Sequence, residues 1–191
     1  MKKFLVLVVL SLMTVTALAY NGTEVKAAIV NGITTKNLTT YEAIKTEVET
    51  VVNATDLPSP QIKRNTCLYL TAVFTSRYGN AEEFKKAFTA LRTNKRSTFE
   101  FTLKAQRIYG WTNEETYNFV MQQFRENNNS ASVYQFGKGV EIIIKYGPIV
   151  NVTTQKADLQ LLNRLASPKL LKNKAEWEPI VAKIRTALET Y

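Results

Sequence analysis

The sequence predicts an all-α protein of antiparallel helix pairs, stacked as a short α-solenoid or as a compact helical array. Apolar residues recur three and four positions apart in segment after segment, and no stretch sustains the two-residue alternation of a β-strand. Turn signals separate these segments by about 16 to 22 residues, a spacing typical of antiparallel helix pairs. Turns are expected near positions 58, 79, 94, 110, 130, 148 and 170.

The N-terminus has the order of a secretory signal peptide, which we place at residues 1–19. A basic start is followed by an apolar run from Phe4 to Met13 and by small residues ending at Ala19. The run is shorter than the roughly 20 residues that span a bilayer. No second such run follows, so we expect a secreted, extracellular protein with no transmembrane span.

Residues 20–58 are expected to form an N-terminal extension with one or two helices. Thr39 and Glu42 fit a capping box, and Ile44 and Val48 follow at helical spacing. The prolines of 56–60 then interrupt the pattern, because proline cannot continue a helix. We therefore expect a separate helical-repeat domain over residues 59–191.

The sequence of the first half of this domain predicts four helices. Residues 61–78 form the first, which Gly79 ends, and Asn80 with Glu83 caps the second. Residues 93–109 predict a third helix, closed by a left-handed Gly110. Thr112 and Glu115 form another capping box, which opens the fourth.

Three further helices are expected after position 130. The first runs from Val133 to the Gly147-Pro148 stop, and its Ile142–Ile144 run could alternatively form a strand, although the helical pattern around it favours helix. The next opens near Thr154. The last places Pro179 in its first turn, where proline is tolerated.

Five asparagines fit the N-x-Ser/Thr acceptor pattern for N-glycosylation. A secreted chain would expose such sites at its surface, so we predict a glycoprotein. Coincidence in a threonine-rich chain is the alternative. The candidates are Asn21, Asn37, Asn53, Asn128 and Asn151.

The net charge is +9, or +7 after loss of the two signal-peptide lysines (9 − 2). Such a balance favours acidic partners. Basic residues concentrate in the middle of the chain, and this patch could bind an acidic partner, a glycan sulfate or a lipid head group, or could be a solvated face. Nucleic acid is not expected, because the cations are scattered among acidic residues and no nucleic-acid motif accompanies them. The patch consists of Lys85, Lys86, Arg92, Lys95, Arg96, Lys104 and Arg107.

Composition restricts the possible chemistry. The chain has no histidine, so neither a Ser-His-Asp triad nor a Cys-His pair can form. Cys67 is the single cysteine and is expected to be buried, although a disulfide between two chains stays open. The acidic pairs at 82–83 and 114–115 are expected at helix starts rather than in catalysis. We predict a non-enzyme without catalytic residues, metal or cofactor.

Five segments and the final helix carry a resemblance to a known family; the segments are 62–69, 78–84, 95–110, 119–127 and 159–171. Together they resemble the C-terminal helical domain of the M1 zinc aminopeptidases, a HEAT-like repeat array. The resemblance covers about two thirds of the chain and is carried by apolar spacing, which has low specificity. It implies a HEAT-like fold detached from a catalytic domain. The aminopeptidase activity does not transfer, because its zinc site needs two histidines.

These observations predict a secreted, non-catalytic helical glycoprotein that binds a protein or peptide partner. A carrier of a small hydrophobic ligand is one alternative, since helical arrays can leave apolar cavities between helices. A basic effector acting at membrane surfaces is the other.

Overall fold

The computed structural model describes residues 21–127 and 131–191. The expected signal peptide and the glycosylation candidate Asn128 lie outside the described residues. The described part is all-α, as predicted, with nine α-helices, two short 3-10 helices and no β-strand. None of its helices is long and apolar enough to cross a bilayer.

The chain divides into two compact units, one ending at Ala87 and the other comprising Phe88–Tyr191. The division falls within the fourth helix. The first four helices are α1 (Gly22–Thr35), α2 (Tyr41–Asn53), α3 (Pro60–Tyr78) and α4 (Ala81–Thr93). The others are α5 (Thr102–Tyr109), α6 (Asn113–Asn127), α7 (Val133–Tyr146), α8 (Val152–Lys172) and α9 (Lys174–Leu188), with 3-10 helices at Phe99–Phe101 and Gly147–Ile149.

The core of the first unit is mainly aliphatic. It joins α1 and α2 to α3, so the expected boundary between residues 58 and 59 falls inside this unit. The expected N-terminal extension is therefore packed against the helix that follows it. The buried members are Val25, Ile29, Ile33, Ile44, Val48, Val52, Cys67, Leu70 and Phe74.

The core of the second unit is built around aromatic rings. Phe99 stacks on Phe124 with 4.4 Å between ring centroids, Phe124 meets Phe136 edge-on at 4.9 Å, and Phe136 meets Trp177 at 5.2 Å. Such offset and edge-on pairs are the favoured aromatic geometries. This chain of rings connects the Phe99–Phe101 turn with α6, α7 and α9.

Most predicted helix ends agree with the structure. Thr112 and Glu115 form a reciprocal capping box, with hydrogen bonds of 2.7 and 3.1 Å. Asn80 accepts from the Glu83 N–H at 3.0 Å. Gly110 is left-handed with φ of 69°. The Ile142–Ile144 run is helical.

Three local predictions are wrong. Thr40, not Thr39, caps α2, because its side chain is the one that accepts from the Ala43 N–H. Pro179 lies in the interior of α9 rather than in its first turn, because this helix already starts at Lys174. Residues 93–109 do not form one helix, since α4 ends at Thr93 and the chain turns before α5.

Candidate anion-binding site

The turn after α4 has the hydrogen bonds of a Schellman motif. The Lys95 N–H donates to the Arg92 carbonyl and the Arg96 N–H donates to the Leu91 carbonyl, both at 2.9 Å. Lys95 is left-handed, with φ of 52°. Glycine usually occupies this position, because a side chain raises the energy of this conformation. The turn therefore places two adjacent cations at the end of a helix that also carries Arg92.

Two buried glutamines hold the residues that follow. Gln123 of α6 accepts from the N–H and the hydroxyl of Thr98 through Oε1, at 3.1 and 2.6 Å. Gln135 of α7 accepts from the Ser97 hydroxyl and the Glu100 N–H at 3.1 and 3.2 Å, and its Nε2 donates to a Glu100 carboxylate oxygen at 2.7 Å. These contacts fix the non-helical segment against two helices.

A pocket of about 640 Å³, partly open to solvent, lies beside this turn. We call it the basic pocket. All its lining residues belong to the second unit and come from α4, the turn after it, and α6. They are Thr89, Arg92, Thr93, Lys95, Arg96, Phe119, Gln122, Gln123 and Glu126.

The basic pocket carries an excess of positive charge. Among the described residues, none forms an ion pair with Arg92, Lys95 or Arg96. One carboxylate, Glu126, also lines the pocket and accepts from Gln122 Nε2 at 2.8 Å. Three cations and one anion give a formal charge of +2 (3 − 1). An uncompensated charge of this size attracts anions.

Two hydrogen-bond donors at the basic pocket are buried and have no partner among the described residues. They are Nε of Arg96 and Nε2 of Gln123. Gln123 is only 7% exposed. A buried donor without an acceptor destabilises a fold by about 1–3 kcal/mol. Both donors belong to residues that line the pocket, so an acceptor on a ligand that reaches them would satisfy both.

An aromatic group supports the pocket wall. The Arg92 guanidinium lies 5.3 Å from the Phe119 ring centroid, within the range of a cation–π contact. Phe119 also packs against Trp111 at 4.8 Å and Phe88 at 5.9 Å. The Phe119 ring is therefore held between Arg92 and the core.

The predicted basic patch is only partly assembled here. Arg92, Lys95 and Arg96 line the basic pocket, whereas Lys104 and Arg107 of α5 do not. Burial lowers the pKa of Lys104. Lys85 and Lys86 belong to the first unit, and each is ion-paired at 2.8 Å with the glutamate three residues before it.

Sequence reasoning missed the part of the site that lies on α6. Gln122, Gln123, Phe119 and Glu126 were assigned no role, although Gln123 both anchors the turn and lines the pocket. A polar glutamine one residue before Phe124, on a helix with an apolar stripe, is the available signal, because a buried amide requires partners.

The four described glycosylation candidates are exposed, and each lies at a helix end. Asn21 and Asn151 are N-caps, whose Oδ1 accepts from backbone N–H groups of α1 and α8. Asn37 is left-handed, with φ of 51°, and Asn53 is the last residue of α2. Because capping uses Oδ1, the Nδ2 atom to which a glycan attaches is not engaged by these caps.

The titratable groups described next lie outside the basic pocket, and their contacts are those of a folded core or of helix ends. Cys67 is 7% exposed, and burial raises the pKa of its thiol to about 11, so it is protonated at neutral pH. Glu83 accepts from the Tyr41 N–H and from Lys86, and Glu115 completes its capping box. In the described ranges, no group of three His, Cys, Asp or Glu side chains is placed to hold a metal ion.

The sequence matches no protein-family profile, no curated protein and no solved structure.

Proposed function

We propose that this protein is a secreted, non-catalytic helical binding protein whose basic pocket receives an acidic group of a protein or peptide partner. One observation carries the proposal: three cations without ion-pair partners among the described residues line a pocket that also has two unsatisfied buried donors. The pocket has a defined volume, so it differs from a solvated basic surface.

The surroundings of the pocket support binding rather than a passive role. Gln123 and Gln135 anchor residues 97–100, so the backbone of the turn that carries Lys95 and Arg96 is fixed before a ligand arrives. A preorganised site binds more tightly, because less conformational freedom is lost on binding. Hydrogen bonds between charged groups are about twice as strong as neutral ones.

The polar lining favours an acidic ligand over an apolar one. Six of the nine lining residues are charged or carry a side-chain amide, and Phe119 is the only aromatic residue among them. A carrier of hydrophobic ligands would need a mainly apolar cavity. We therefore choose the acidic partner over the carrier.

Secretion and glycosylation complete the proposal. They are supported by the signal-like N-terminus and by the exposure of the four described acceptor asparagines. The relation to the C-terminal domain of zinc aminopeptidases stays a proposal, which is compatible with the all-α fold.

The test is fluorescence anisotropy with a labelled peptide rich in glutamate and a matched peptide with glutamine in its place. We expect the acidic peptide to bind and the double variant Arg92→Gln/Arg96→Gln to weaken it by at least about tenfold.

The control is Lys104→Gln/Arg107→Gln, which removes the same charge outside the pocket and should weaken binding by less than about twofold. Equal losses in the two double variants would show a general charge effect and would refute the pocket. Absence of binding by the wild-type protein would refute the proposed function.

A further inference from the structure

We infer that the acidic group received by the basic pocket is a tetrahedral oxyanion, the phosphate or sulfate monoester of a modified peptide side chain, rather than a carboxylate. The inference rests on the proposed function, because it concerns the same pocket. It goes further by naming the chemical group that the pocket selects.

The charge of the pocket fits a dianion. Arg92, Lys95 and Arg96 with Glu126 give a formal +2 (3 − 1). A phosphate monoester carries about −1.5 to −2 at neutral pH, whereas a single carboxylate carries −1. A carboxylate would leave half of the excess charge uncompensated. A phosphate monoester neutralises nearly all of it. A sulfate monoester carries −1, so the charge favours phosphate, and a sulfate differs from a carboxylate only in its oxygens.

The donors also fit an acceptor with several oxygens. Arg96 Nε and Gln123 Nε2 lack partners among the described residues, and the three cations add further N–H groups. These donors come from three places in the chain: the end of α4, the turn after it, and α6. A carboxylate presents two oxygens in one plane. A monoester presents three terminal oxygens in different directions and can accept from all three segments.

The exposure of the donors divides the pocket into a rim and a base. Arg92 and Lys95 are exposed, Arg96 is half-buried, and Gln123 is buried. The exposed cations at the rim would attract the anion over a distance. The buried donor at the base would distinguish one kind of anion from another by hydrogen bonding. The Gln123 amide is held for this role, because its Oε1 is already used by Thr98.

Glu126 further restricts the kind of anion that the basic pocket can receive. A carboxylate on the pocket wall repels a second anionic group beside the first. The pocket therefore suits one compact oxyanion more than a run of adjacent glutamates or aspartates. Its volume of about 640 Å³ leaves room for the side chain that carries the ester.

The experiment compares four labelled peptides of the same neutral sequence, with tyrosine, glutamate, phosphotyrosine or sulfotyrosine at the centre. We expect the phosphorylated or the sulfated peptide, or both, to bind at least about tenfold more tightly than the glutamate peptide. The unmodified tyrosine peptide should not bind. The tighter of the two modified peptides identifies phosphate or sulfate as the source of the oxyanion.

Two failures are distinguishable. If the glutamate peptide binds through Arg92 and Arg96 as tightly as both modified peptides, the inference is wrong and the proposed function stands. If none of the four peptides binds, and the glutamate-rich peptide of the first test does not bind either, the proposed function fails as well.

Gln123→Glu tests the donor at the base. A glutamate keeps an oxygen that can accept from Thr98 but replaces the Nε2 donor with a second acceptor. We expect at least about tenfold weaker binding of the preferred modified peptide. Gln160→Glu makes the same substitution at an exposed position of α8, outside the pocket, and should bind as wild type. Wild-type affinity in Gln123→Glu would overturn the inference.

Arg96→Lys gives a second route if Gln123→Glu does not fold. It keeps the charge and removes the Nε donor and the planar guanidinium. The preference for the modified peptide over the glutamate peptide should fall by about tenfold or more. An unchanged preference would overturn the inference.

Discussion

The two units differ in what they bury. Among the described residues of the first unit, the buried polar side chains are three threonines, Thr55, Thr71 and Thr75. The second unit also buries three glutamines and an aspartate, Gln123, Gln135, Gln155 and Asp158. The Thr55 hydroxyl donates to the Val52 carbonyl 2.7 Å away, and the Thr71 and Thr75 hydroxyls have no partner among the described residues. Gln123, Gln135 and Asp158 instead form hydrogen bonds with residues that are distant in the sequence.

The long polar contacts of the second unit accompany its basic pocket. Gln123 and Gln135 each bond to residues 25 to 38 positions away, and together they hold a non-helical turn. Asp158 accepts from the Tyr117 hydroxyl at 2.9 Å and from Arg125 at 2.8 Å, and burial raises the pKa of Tyr117. Buried polar networks specify one geometry when they are satisfied. The unit with the longer polar contacts is also the one with the basic pocket.

The largest expected effect tests the aromatic core of the second unit. A Cβ added to Gly139 would lie 2.5 Å from a Phe124 ring atom and 3.0 Å from a Phe99 ring atom. Both rings are buried and cannot move aside, so Gly139→Ala should lower the free energy of unfolding by about 1–3 kcal/mol. Urea unfolding followed by tryptophan fluorescence measures this unit alone, because Trp111 and Trp177 both belong to it.

Gly137→Ala is the matched control on the same helix. Its added Cβ would be 3.4 Å from Ile180, an ordinary contact. Alanine is better than glycine inside a helix by about 1 kcal/mol, so this variant should be stabilised by up to that amount. Equal destabilisation of both variants would contradict the tight packing of the two rings.

The next effect compares the two left-handed residues. Lys95 and Asn37 both follow a helix in Schellman geometry. Asparagine tolerates this conformation better than lysine does. Lys95→Gly should therefore raise the free energy of unfolding by about 1 kcal/mol, and Asn37→Gly by only a few tenths. Urea unfolding followed by far-UV circular dichroism measures both.

The same lysine links stability to binding. Lys95→Gly removes one of the three cations of the basic pocket, so it should also weaken binding of an acidic peptide. A variant that is more stable and binds less well would show that the strained lysine is kept for its charge. A variant with wild-type stability would contradict the strain.

Local signals allowed much of the fold to be predicted. Gly110, the Thr112–Glu115 capping box and the Gly147-Pro148 stop act within a few residues, so the sequence alone reveals them. Helix α1 was anticipated only as an optional second helix of the extension, because no cap pattern was recognised before it. Its cap is Asn21, which was considered only as a glycosylation site.

The site was less predictable, for a physical reason. The sequence predicts one helix over residues 93–109, but the chain turns where Gln123 and Gln135 bond to residues 97–100. Those partners are distant in sequence, so no local pattern contains them. The basic residues were visible as a cluster of seven. The turn after α4 determines which three of the seven line the basic pocket.

The smallest expected effect is a pH dependence in the first unit. The Lys86 ammonium, followed by the Tyr41 N–H, lowers the pKa of Glu83 below its ordinary value of 4.5. The ionised carboxylate is therefore favoured by folding. Its contribution to stability should be present above about pH 4.5 and be lost as the pH falls through the lower pKa of the folded state.

Two measurements check that folding lowers the pKa of Glu83 and that its ionised form stabilises the fold. Carboxyl chemical shifts should give Glu83 a titration midpoint below 4.5. Between neutral pH and pH 3, Glu83→Gln should lose less stability than wild type, because a glutamine does not titrate. Glu82→Gln is the neighbouring control, since the Glu82 carboxylate is 71% exposed and pairs with Lys85 at the surface. A Glu83 midpoint at or above 4.5 would mean that the contact joining the start of α2 to α4 contributes nothing to folding.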